Sequence, residues 1–216
     1  MRELNLLNSI KKINRSVEDR KKKKNLSVIN ISRKYAFDYF DGERKYGYGG
    51  YHYDGRWVSV AKRIKTIYKL KKKSKVLDIG CAKGFLIKDL LDLGLDAYGL
   101  DISEYAIKNS HKEVVGRIHL GSAEKLPFAD NTFDFVISLN TLHNLTKKKC
   151  EIALKEIVRV SRGKSFIQVD SYKNIKEKKI FLDWVLTAKY HDYPKNWKKL
   201  FKKSNYKGDY YWTIVS

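Results

Sequence analysis

Short apolar runs alternate along the chain with longer stretches in which apolar and polar residues are mixed. Five runs have the length of buried strands: 76–79, 97–100, 118–120, 135–139 and 165–169. The stretches 58–70, 85–93 and 147–160 carry apolar residues three or four positions apart, which predicts helices with one buried face. Strands that alternate with helices form parallel sheets that are covered on both faces. We therefore predict an α/β fold with three layers, αβα, around a mostly parallel central sheet. The same patterns predict two further helices and a last strand: 179–188, 196–203 and 210–215.

The first 57 residues lack this regular alternation. Four apolar residues near the start have helical spacing: Leu4, Leu7, Ile10 and Ile13. They predict a lysine-rich helix or a loose arm over residues 1–30. Residues 39–57 then contain five tyrosines, one tryptophan and five glycines, a composition that predicts a loop able to mould around a ligand. We divide the chain into an N-terminal arm with this tyrosine-glycine loop (1–57) and an α/β domain (58–216).

The turn after the first predicted strand reads VLDIGCAKG over residues 76–84. Gly80, Ala82 and Gly84 are small, so the backbone of this turn can approach a ligand closely. Asp101 closes the second strand, 21 residues after Gly80. An acid at about this separation accepts both ribose hydroxyls of an adenosine cofactor in βαβ units. The pairing predicts an adenosine-binding site at the carboxyl edge of the sheet.

The same turn resembles the first motif of the class I S-adenosylmethionine-dependent methyltransferases. The resemblance implies that S-adenosyl-L-methionine is the cofactor and that Asp78 holds its methionine ammonium, directly or through water. The chain departs from the family at Ala82, where glycine is common, and the single added methyl group predicts a tighter fit. The other cofactor contacts implied around this turn are Gly80, Cys81, Gly84, Phe85, Asp101 and Ile102.

Later segments follow in the order that this family shows. Residues 121–128 resemble its adenine-binding segment. The implied adenine contacts are Ser122, Ala123 and Glu124. Asn140 ends the fourth strand, at the edge where open α/β sheets place their ligands, so we assign it to the boundary between cofactor and substrate. His143 is the candidate catalytic base because the pKa of histidine lies near neutrality, although a histidine here could also only pack against cofactor or substrate.

The tyrosine-glycine loop carries most of the predictions about the substrate. In related methyltransferases the segment before the first strand covers the cofactor, which implies contacts from Tyr46, Tyr48 and Gly49. The predicted substrate-binding residues are Arg44, Tyr51, Arg56, His143, Asp170 and Tyr172. Arg44 and Arg56 could pair with an acidic group of a ligand, or Arg56 could brace the loop through Asp41 or Asp54. An equal alternative is that the loop only pins the arm onto the domain.

The formal charge of +22 has two interpretations. Strongly basic chains bind nucleic acids through phosphate contacts. Here the positive charge is mostly lysine and is scattered along the chain, which favours a compositional bias over a dedicated nucleic-acid surface. We expect no membrane span, signal peptide or metal site, because long apolar runs are missing and Cys81 and Cys150 lack a ligand pattern. A cytoplasmic protein is therefore expected.

Two stretches resemble particular kinds of methyltransferase. LPFADNTFDFVIS, at residues 126–138, is similar to enzymes that act on small molecules such as quinone precursors, sterols and sugars. GYGGYHYDGRW, at residues 47–57, resembles methyltransferases associated with surface saccharides. We expect methyl transfer to a hydroxyl of a sugar or another small polar metabolite; the alternatives are an RNA methyltransferase and a catalytically idle binding protein. The family's closing pair of antiparallel strands should be incomplete, with its second strand vestigial or supplied near Tyr206.

Overall fold

The structure, a computed structural model, describes residues 1–10 and 16–215. A single six-stranded sheet forms its centre, in the order β3-β2-β1-β4-β5-β6, and every neighbouring pair is parallel. The strands are β1 (Lys75–Ile79), β2 (Asp96–Asp101), β3 (Ile118–Leu120), β4 (Phe135–Leu139), β5 (Ser165–Asp170) and β6 (Asp209–Thr213). The predicted parallel sheet is confirmed, and strands β3 and β4 have the predicted bounds. Because all the strands are parallel, their carboxyl ends meet at one edge of the sheet.

Helices cover both faces of this sheet. The helices that follow the arm are α4 (Trp57–Ile67), α5 (Phe85–Asp92), α6 (Glu104–Lys108), α7 (Lys147–Val160), α8 (Ile175–Trp184) and α9 (Pro194–Lys203). Successive residues of β1 point to opposite faces: Val76 packs in the core under α4 and α5, and Leu77 packs in the core under α7 and α9. The predicted αβα layering is therefore present.

The described part of the N-terminal arm contains three short helices, α1 (Val17–Lys23), α2 (Leu26–Ser32) and α3 (Phe37–Phe40). The side chains of Ser16 and Asn25 cap the first two, which explains why the arm breaks into separate helices and does not form one long one. Leu4, Leu7 and Ile10 pack against the α4–α5 core outside any helix, and Ile13 lies outside the described residues. The predicted boundary between residues 57 and 58 stays a prediction, and α4 begins at Trp57.

Helix α8 begins four residues earlier than the sequence pattern predicts and ends at Trp184. The cause is an N-cap: the side-chain oxygen of Asn174 accepts a hydrogen bond from the Glu177 amide at 2.9 Å. The prediction used apolar spacing and overlooked this cap. Residues 185–188 consequently follow the helix, and Lys189 is brought beside the carboxyl edge of the sheet.

The expected pair of antiparallel strands is absent from the part of the chain that the structure describes. Gly208 lies tightly against Ser165, where an added Cβ would come within 2.2 Å of the serine oxygen. The chain therefore enters β6 beside the start of β5 and runs parallel to it. Tyr206 forms no strand, and its hydroxyl donates to the Asp209 carbonyl at 2.7 Å. The outer edge of β6 is instead paired with the chain start, where the Leu4 amide donates to the Tyr210 carbonyl at 2.9 Å.

Among the described residues, no helix is both long and apolar enough to cross a bilayer.

Candidate functional site

A pocket opens at the carboxyl edge of the sheet, beyond the ends of β1, β2, β3 and β4. Turns that follow these strands form its floor, and aromatic rings from the N-terminal arm form its roof. Nine of the predicted cofactor contacts line it: Tyr48, Gly80, Ala82, Asp101, Ile102, Ser122, Ala123, Glu124 and Asn140. The topology thus places residues from the arm and from four strands around one cavity, as expected for ligand sites of open α/β sheets.

The turn after β1 has a backbone conformation that requires small residues. Gly80 has a φ of 79°, and a Cβ at this position would lie 2.0 Å from the Thr141 hydroxyl oxygen. Ala82 also lies in the left-handed region, with a φ of 51°, which is costly for any residue that carries a Cβ. The Ala82 amide donates to the Asp101 carboxylate at 2.7 Å, and this bond holds the strained turn against the end of β2.

Asp101 is held in a fixed orientation at the pocket floor. One carboxylate oxygen accepts the Ala82 amide, and the other accepts the Ser103 amide at 2.8 Å. Burial raises the pKa of Asp101, and these two amide hydrogen bonds oppose the rise. Each oxygen has a second lone pair that can accept a hydroxyl. The carboxylate is therefore prepared to bind a diol.

Asp78 is not among the residues that line the pocket, but it lies one residue before the lining residue Ile79 and has an unusual electrostatic environment. Its side chain is only 4% exposed, and no described residue donates a hydrogen bond to it or forms an ion pair with it. Burial, with a smaller contribution from the negative charge of Asp101, raises the pKa of Asp78 to about 7. A buried carboxylate without a partner is costly unless a cation neutralises it. The site therefore suits a positively charged group of a ligand.

The roof is built from four aromatic side chains of the arm: Tyr35, Tyr39, Phe40 and Tyr48. The rings of Tyr35 and Tyr39 meet edge to face at 5.1 Å, and Tyr39 meets Tyr48 in the same way at 5.3 Å. Such edge-to-face contacts stabilise neighbouring rings beyond their area burial. Tyr48 is 44% exposed, so one ring of the roof can still adjust around a ligand.

A buried ion pair ties the roof to the glycine turn. Lys83, within the turn, donates to both carboxylate oxygens of Asp41, at 2.6 and 2.8 Å. The same carboxylate accepts the Tyr105 hydroxyl at 2.6 Å and the Tyr51 amide at 3.0 Å. Burial alone acts to raise the pKa of Asp41, but these hydrogen bonds together lower it. The carboxylate is therefore ionised at neutral pH and anchors the loop to the domain.

Comparison with known proteins agrees with this geometry. Residues 77–168 match the family model described as a methyltransferase domain. The chain thus contains a methyltransferase domain of the kind that uses S-adenosylmethionine. A methyltransferase of Archaeoglobus fulgidus that depends on the same cofactor has the same fold, with a TM-score of 0.53 and 22% identity over 67% of this chain and 66% of that one.

Two curated relatives show how far the sequence similarity extends. The mitochondrial arginine-hydroxylase NDUFAF5 of Mus musculus is 39% identical over 69 residues, which cover 31% of this chain and 20% of that protein. Sterol 4-C-methyltransferase strm-1 of Caenorhabditis elegans is 35% identical over 108 residues, or 45% of this chain and 31% of that protein. The chain thus spans less than a third of either relative.

The methyltransferase pocket fits S-adenosylmethionine, the cofactor of this family. The unpartnered carboxylate of Asp78 matches the methionine ammonium, and the oriented carboxylate of Asp101 matches the ribose diol. Ser122 and Glu124 line the opposite side, where the Ser122 hydroxyl donates to the Glu124 carboxylate at 3.2 Å. These polar groups, next to the apolar side chain of Ala123, suit the edge of a purine.

Several predicted cofactor contacts of this methyltransferase lie away from the pocket lining. Cys81 packs under Gly99, and burial raises the pKa of its thiol, which makes it a core residue. Gly84 packs against Val114 and Ile118 at the start of α5. Tyr46 and Gly49 belong to the outer part of the loop and do not line the cavity. Lys45 lies over the Tyr46 ring, and Gly49 packs against Arg44.

The loop residues predicted to bind substrate make internal contacts. Arg56 donates hydrogen bonds to both carboxylate oxygens of Asp54, from its guanidinium and from its backbone amide, which is the bracing alternative considered from the sequence. Arg44 donates to the Gly47 carbonyl and lies over the Trp184 ring. Neither arginine lines the pocket. Both short-range contacts lock the shape of a glycine-rich segment that would otherwise be flexible.

Tyr51 and Phe85 form the wall behind the roof. Their rings stack at a centroid distance of 4.9 Å, and neither side chain lines the pocket. Tyr51 continues the aromatic cluster outward from Tyr48, with ring centroids 4.5 Å apart. These rings pack between the loop and α5, and the direct contact of Phe85 and Tyr51 with ligands stays a prediction.

His143 is not positioned as a general base. It is 4% exposed and does not line the pocket. Its Nδ1 accepts the Asp170 amide at 2.9 Å, so the proton is on Nε2, which lies 3.3 Å from the Asp170 carboxylate. Burial lowers the pKa of this imidazole, and Asp170 partly opposes the shift. Both ring nitrogens are thus engaged inside the protein, and the packing alternative describes this residue.

Two residues at the carboxyl end of β5, Asp170 and Tyr172, are also turned away from the pocket. The Asp170 carboxylate faces His143, and its carbonyl accepts the Trp197 indole N–H at 3.1 Å. Tyr172 is 2% exposed and packs with Phe181, while its hydroxyl lies 3.2 Å from His191 Nδ1. Neither residue lines the pocket, and their contact with substrate stays a prediction that these internal contacts disfavour. Tertiary packing of α8 and α9 encloses this end of the sheet.

Other residues at the pocket mouth were not identified from the sequence. They are Thr141, Asn144, Thr146, Lys149 and Lys189. The first three follow β4 directly, so the rule that ligands bind at carboxyl ends of strands could have found them. Lys189 has no local signal, because it reaches the mouth through the hydrogen bond that its amide donates to the His143 carbonyl at 2.9 Å.

Proposed function

We propose that this protein transfers the methyl group of S-adenosylmethionine to a hydroxyl of a small polar metabolite, such as a sugar. The observation that carries the proposal is the pocket in which Asp101 and the turn after β1 lie beneath the aromatic roof. A roofed pocket favours a small acceptor, since an acceptor of limited size can reach the cofactor only through the mouth.

Each side of the cofactor site has a distinct task. Asp78 binds the ammonium and Asp101 binds the ribose, so the cofactor is held from both ends. When bound, the cofactor supplies an activated methyl group on its sulfonium. The roof tyrosines exclude water and restrict the approach of the acceptor, which lowers the entropic part of the barrier.

The mouth of the pocket suits an acceptor rich in hydroxyls. Asn140, Asn144 and Thr146 supply amide and hydroxyl groups there, and Lys189 supplies an exposed ammonium. The Asn140 side chain is itself fixed, because its oxygen accepts the Thr213 hydroxyl at 2.6 Å. Its amide N–H₂ is left to donate to an acceptor oxygen. With His143 engaged internally, the hydroxyl proton passes to water at the mouth as the methyl group is transferred, and positioning of the acceptor contributes more than a side-chain base.

The first experiment is calorimetry with S-adenosylmethionine and S-adenosylhomocysteine. Binding that is weakened in Asp101→Asn but unchanged in Lys71→Gln supports the cofactor site, because Lys71 lies on the exposed loop before β1. The wild type is then incubated with metabolite extracts, and masses that increase by one methyl group are identified. The mouse relative is named a hydroxylase, which is an activity other than methyl transfer. If this protein binds the cofactor but yields no methylated product, the proposed reaction is refuted.

A second candidate, RNA methylation, is favoured by one surface feature. A groove between α7 and α9 contains five lysines: Lys147, Lys148, Lys155, Lys199 and Lys203. Glu151 pairs with Lys155 and Lys203, at 3.0 and 2.7 Å. The groove adjoins the pocket, since segments 147–149 and 189–192 contribute residues to both cavities. A nucleic acid backbone could follow this groove to the mouth.

Salt dependence separates the two candidates. RNA that binds in the groove should lose affinity with a logarithmic slope of about 0.7 for each phosphate contact. Lys148→Glu with Lys199→Glu should abolish that binding, while Lys71→Glu with Lys72→Glu, at the other edge of the sheet, should change it little. Methylation of a small metabolite that is insensitive to salt and to both double variants would exclude RNA as the acceptor.

We also propose a cytoplasmic location. Cys81 and Cys150 are both buried thiols without a disulfide, which suits a reducing compartment. Fractionation of cells that express a tagged full-length protein would test this, and recovery from an oxidising compartment would contradict it.

A further inference from the structure

A second, basic cavity of about 250 Å³ lies on the far side of the tyrosine-glycine loop, between that loop, α1 and α8. Four cationic side chains line it: Arg20, Lys23, Arg44 and Lys45. Asp19 is the one carboxylate among the described residues that line it, and it accepts the Ser16 hydroxyl at 2.6 Å. The lining thus carries a net positive charge of three, which points to an anionic ligand.

Two guanidinium groups form a fixed centre in this cavity. Arg20 is only 7% exposed and lies 4.6 Å above the Trp184 ring. Arg44 lies 5.5 Å from the centre of the same ring. Both arginines donate to the Gly47 carbonyl, and Arg20 also donates to the Lys45 carbonyl at 3.1 Å. The indole and these carbonyls hold both guanidiniums in place before any ligand arrives.

This arrangement brings like charges together inside the fold. Burial, together with the positive charge of Arg44, lowers the pKa of Arg20 to about 10. Lys45 forms an ion pair with Glu43 at 2.7 Å, which neutralises one of the rim cations. An anion near both guanidiniums would reverse this repulsion and accept charge-assisted hydrogen bonds from them.

We propose that this cavity binds a phosphate group, free or as the ester of a small metabolite, held by Arg20 and Arg44 with Lys23 at the rim. Phosphate matches the forked donors of two guanidiniums better than a spherical anion does. The bound phosphate stabilises the loop through Gly47, directly before Tyr48 of the cofactor roof. Phosphate and the cofactor should therefore strengthen each other's binding, a coupling that rests on the proposed function.

Calorimetry with inorganic phosphate, at ionic strength balanced with sodium chloride, tests the site directly. Arg44→Gln should weaken phosphate binding on the order of ten-fold, as expected for a lost charge-assisted hydrogen bond. Lys23→Gln, which leaves the loop contacts intact, should weaken it by a smaller factor. Lys71→Gln is the control of equal charge change and should have no effect. Glycerol 3-phosphate, as a second probe, distinguishes an ester from the free ion by its affinity.

The results separate the site from the proposed function. Equal losses in Arg44→Gln and Lys71→Gln, or no phosphate binding by the wild type, would overturn the proposal and leave Arg20 and Arg44 as braces of the loop. Saturating phosphate should increase the affinity for S-adenosylhomocysteine about five-fold, but not in Arg44→Gln. Phosphate binding without any binding of S-adenosylhomocysteine would refute the cofactor assignment while supporting the anion site.

Discussion

Lowering the pH from 8 to 6 should weaken cofactor binding about ten-fold, and Asp78 should be the responsible group. Burial raises the pKa of Asp78 to about 7 in the protein without ligand. The methionine ammonium can bind strongly only to the ionised carboxylate, and its charge lowers that pKa in the complex. Affinity is therefore greatest above pH 7 and falls as the pH decreases through 7.

The magnitude follows from the fraction of Asp78 that must lose a proton. At pH 6 about ten of every eleven free molecules carry the proton, so the affinity falls about ten-fold from its limiting value, or about 1.4 kcal/mol. Each mole of cofactor bound at this pH should release about 0.9 mole of protons. Calorimetry in two buffers of different ionisation enthalpy measures both the affinity and the number of released protons.

The variant Asp78→Asn should combine weaker binding with higher stability. At pH 8 it should bind S-adenosylhomocysteine on the order of 10 to 100 times more weakly, because a hydrogen bond to a charged group is lost. The same variant should raise the free energy of unfolding of the cofactor-free protein at pH 8 by up to about 4 kcal/mol, since a raised carboxyl pKa destabilises the fold above that pKa.

The matched control is Asp101→Asn. It should also lower the affinity, but it should keep the loss of binding between pH 8 and pH 6, because Asp78 still titrates. A wild-type affinity that is constant from pH 8 to pH 6, or a pH dependence that survives in Asp78→Asn, would refute the assignment of the ammonium to Asp78. Titration of the cofactor's own amino group is common to all variants and cancels in this comparison.

Four further substitutions test other parts of the site. Gly80→Ala should destabilise the protein by about 3 kcal/mol in denaturant unfolding, because the added Cβ would lie 2.0 Å from the Thr141 hydroxyl oxygen. Ala82→Gly should be neutral or should stabilise the protein by about 1 kcal/mol, because residue 82 has a positive φ that glycine adopts without strain. Asp41→Asn should detach the roof from the glycine turn, because the ion pair with Lys83 is lost. Proteolysis within the loop should become faster, and the cofactor affinity should fall about ten-fold. A loop that stays as resistant to protease as in the wild type would count against Asp41 as its anchor. His143→Gln should lower the free energy of unfolding by about 1–3 kcal/mol and leave the pH dependence of turnover unchanged. If the variant's pH profile of turnover lacked an ionisation that the wild type shows between pH 5 and 8, His143 would be the catalytic base.

The local pattern was sufficient for most of the central sheet. Helix α7 and strands β3 and β4 have the predicted bounds, because apolar periodicity in a buried α/β core reflects the packing directly. The turn around Gly80 and the acid at Asp101 were likewise evident, since both depend on short-range spacing. Element ends were less predictable where a side-chain cap decided them, as Asn174 does for α8.

The direction of side chains at the carboxyl edge depended on tertiary packing. Spacing along the chain placed His143 and Asp170 at the correct edge of the sheet. Only the fold shows that these two residues are hydrogen-bonded to each other and do not line the pocket. The parallel direction of β6 was also undetermined, because it results from the passage of Gly208 beside β5.

The sequence by itself determined the fold class and the cofactor family, because these depend on periodicity and on residues close together in the chain. Tertiary structure alone decided what covers the pocket and which groups surround its mouth. Tyr35 and Lys189, which are far apart in the sequence, line the same cavity. Contacts over such separations depend on how helices dock on the sheet, and no local pattern encodes that docking.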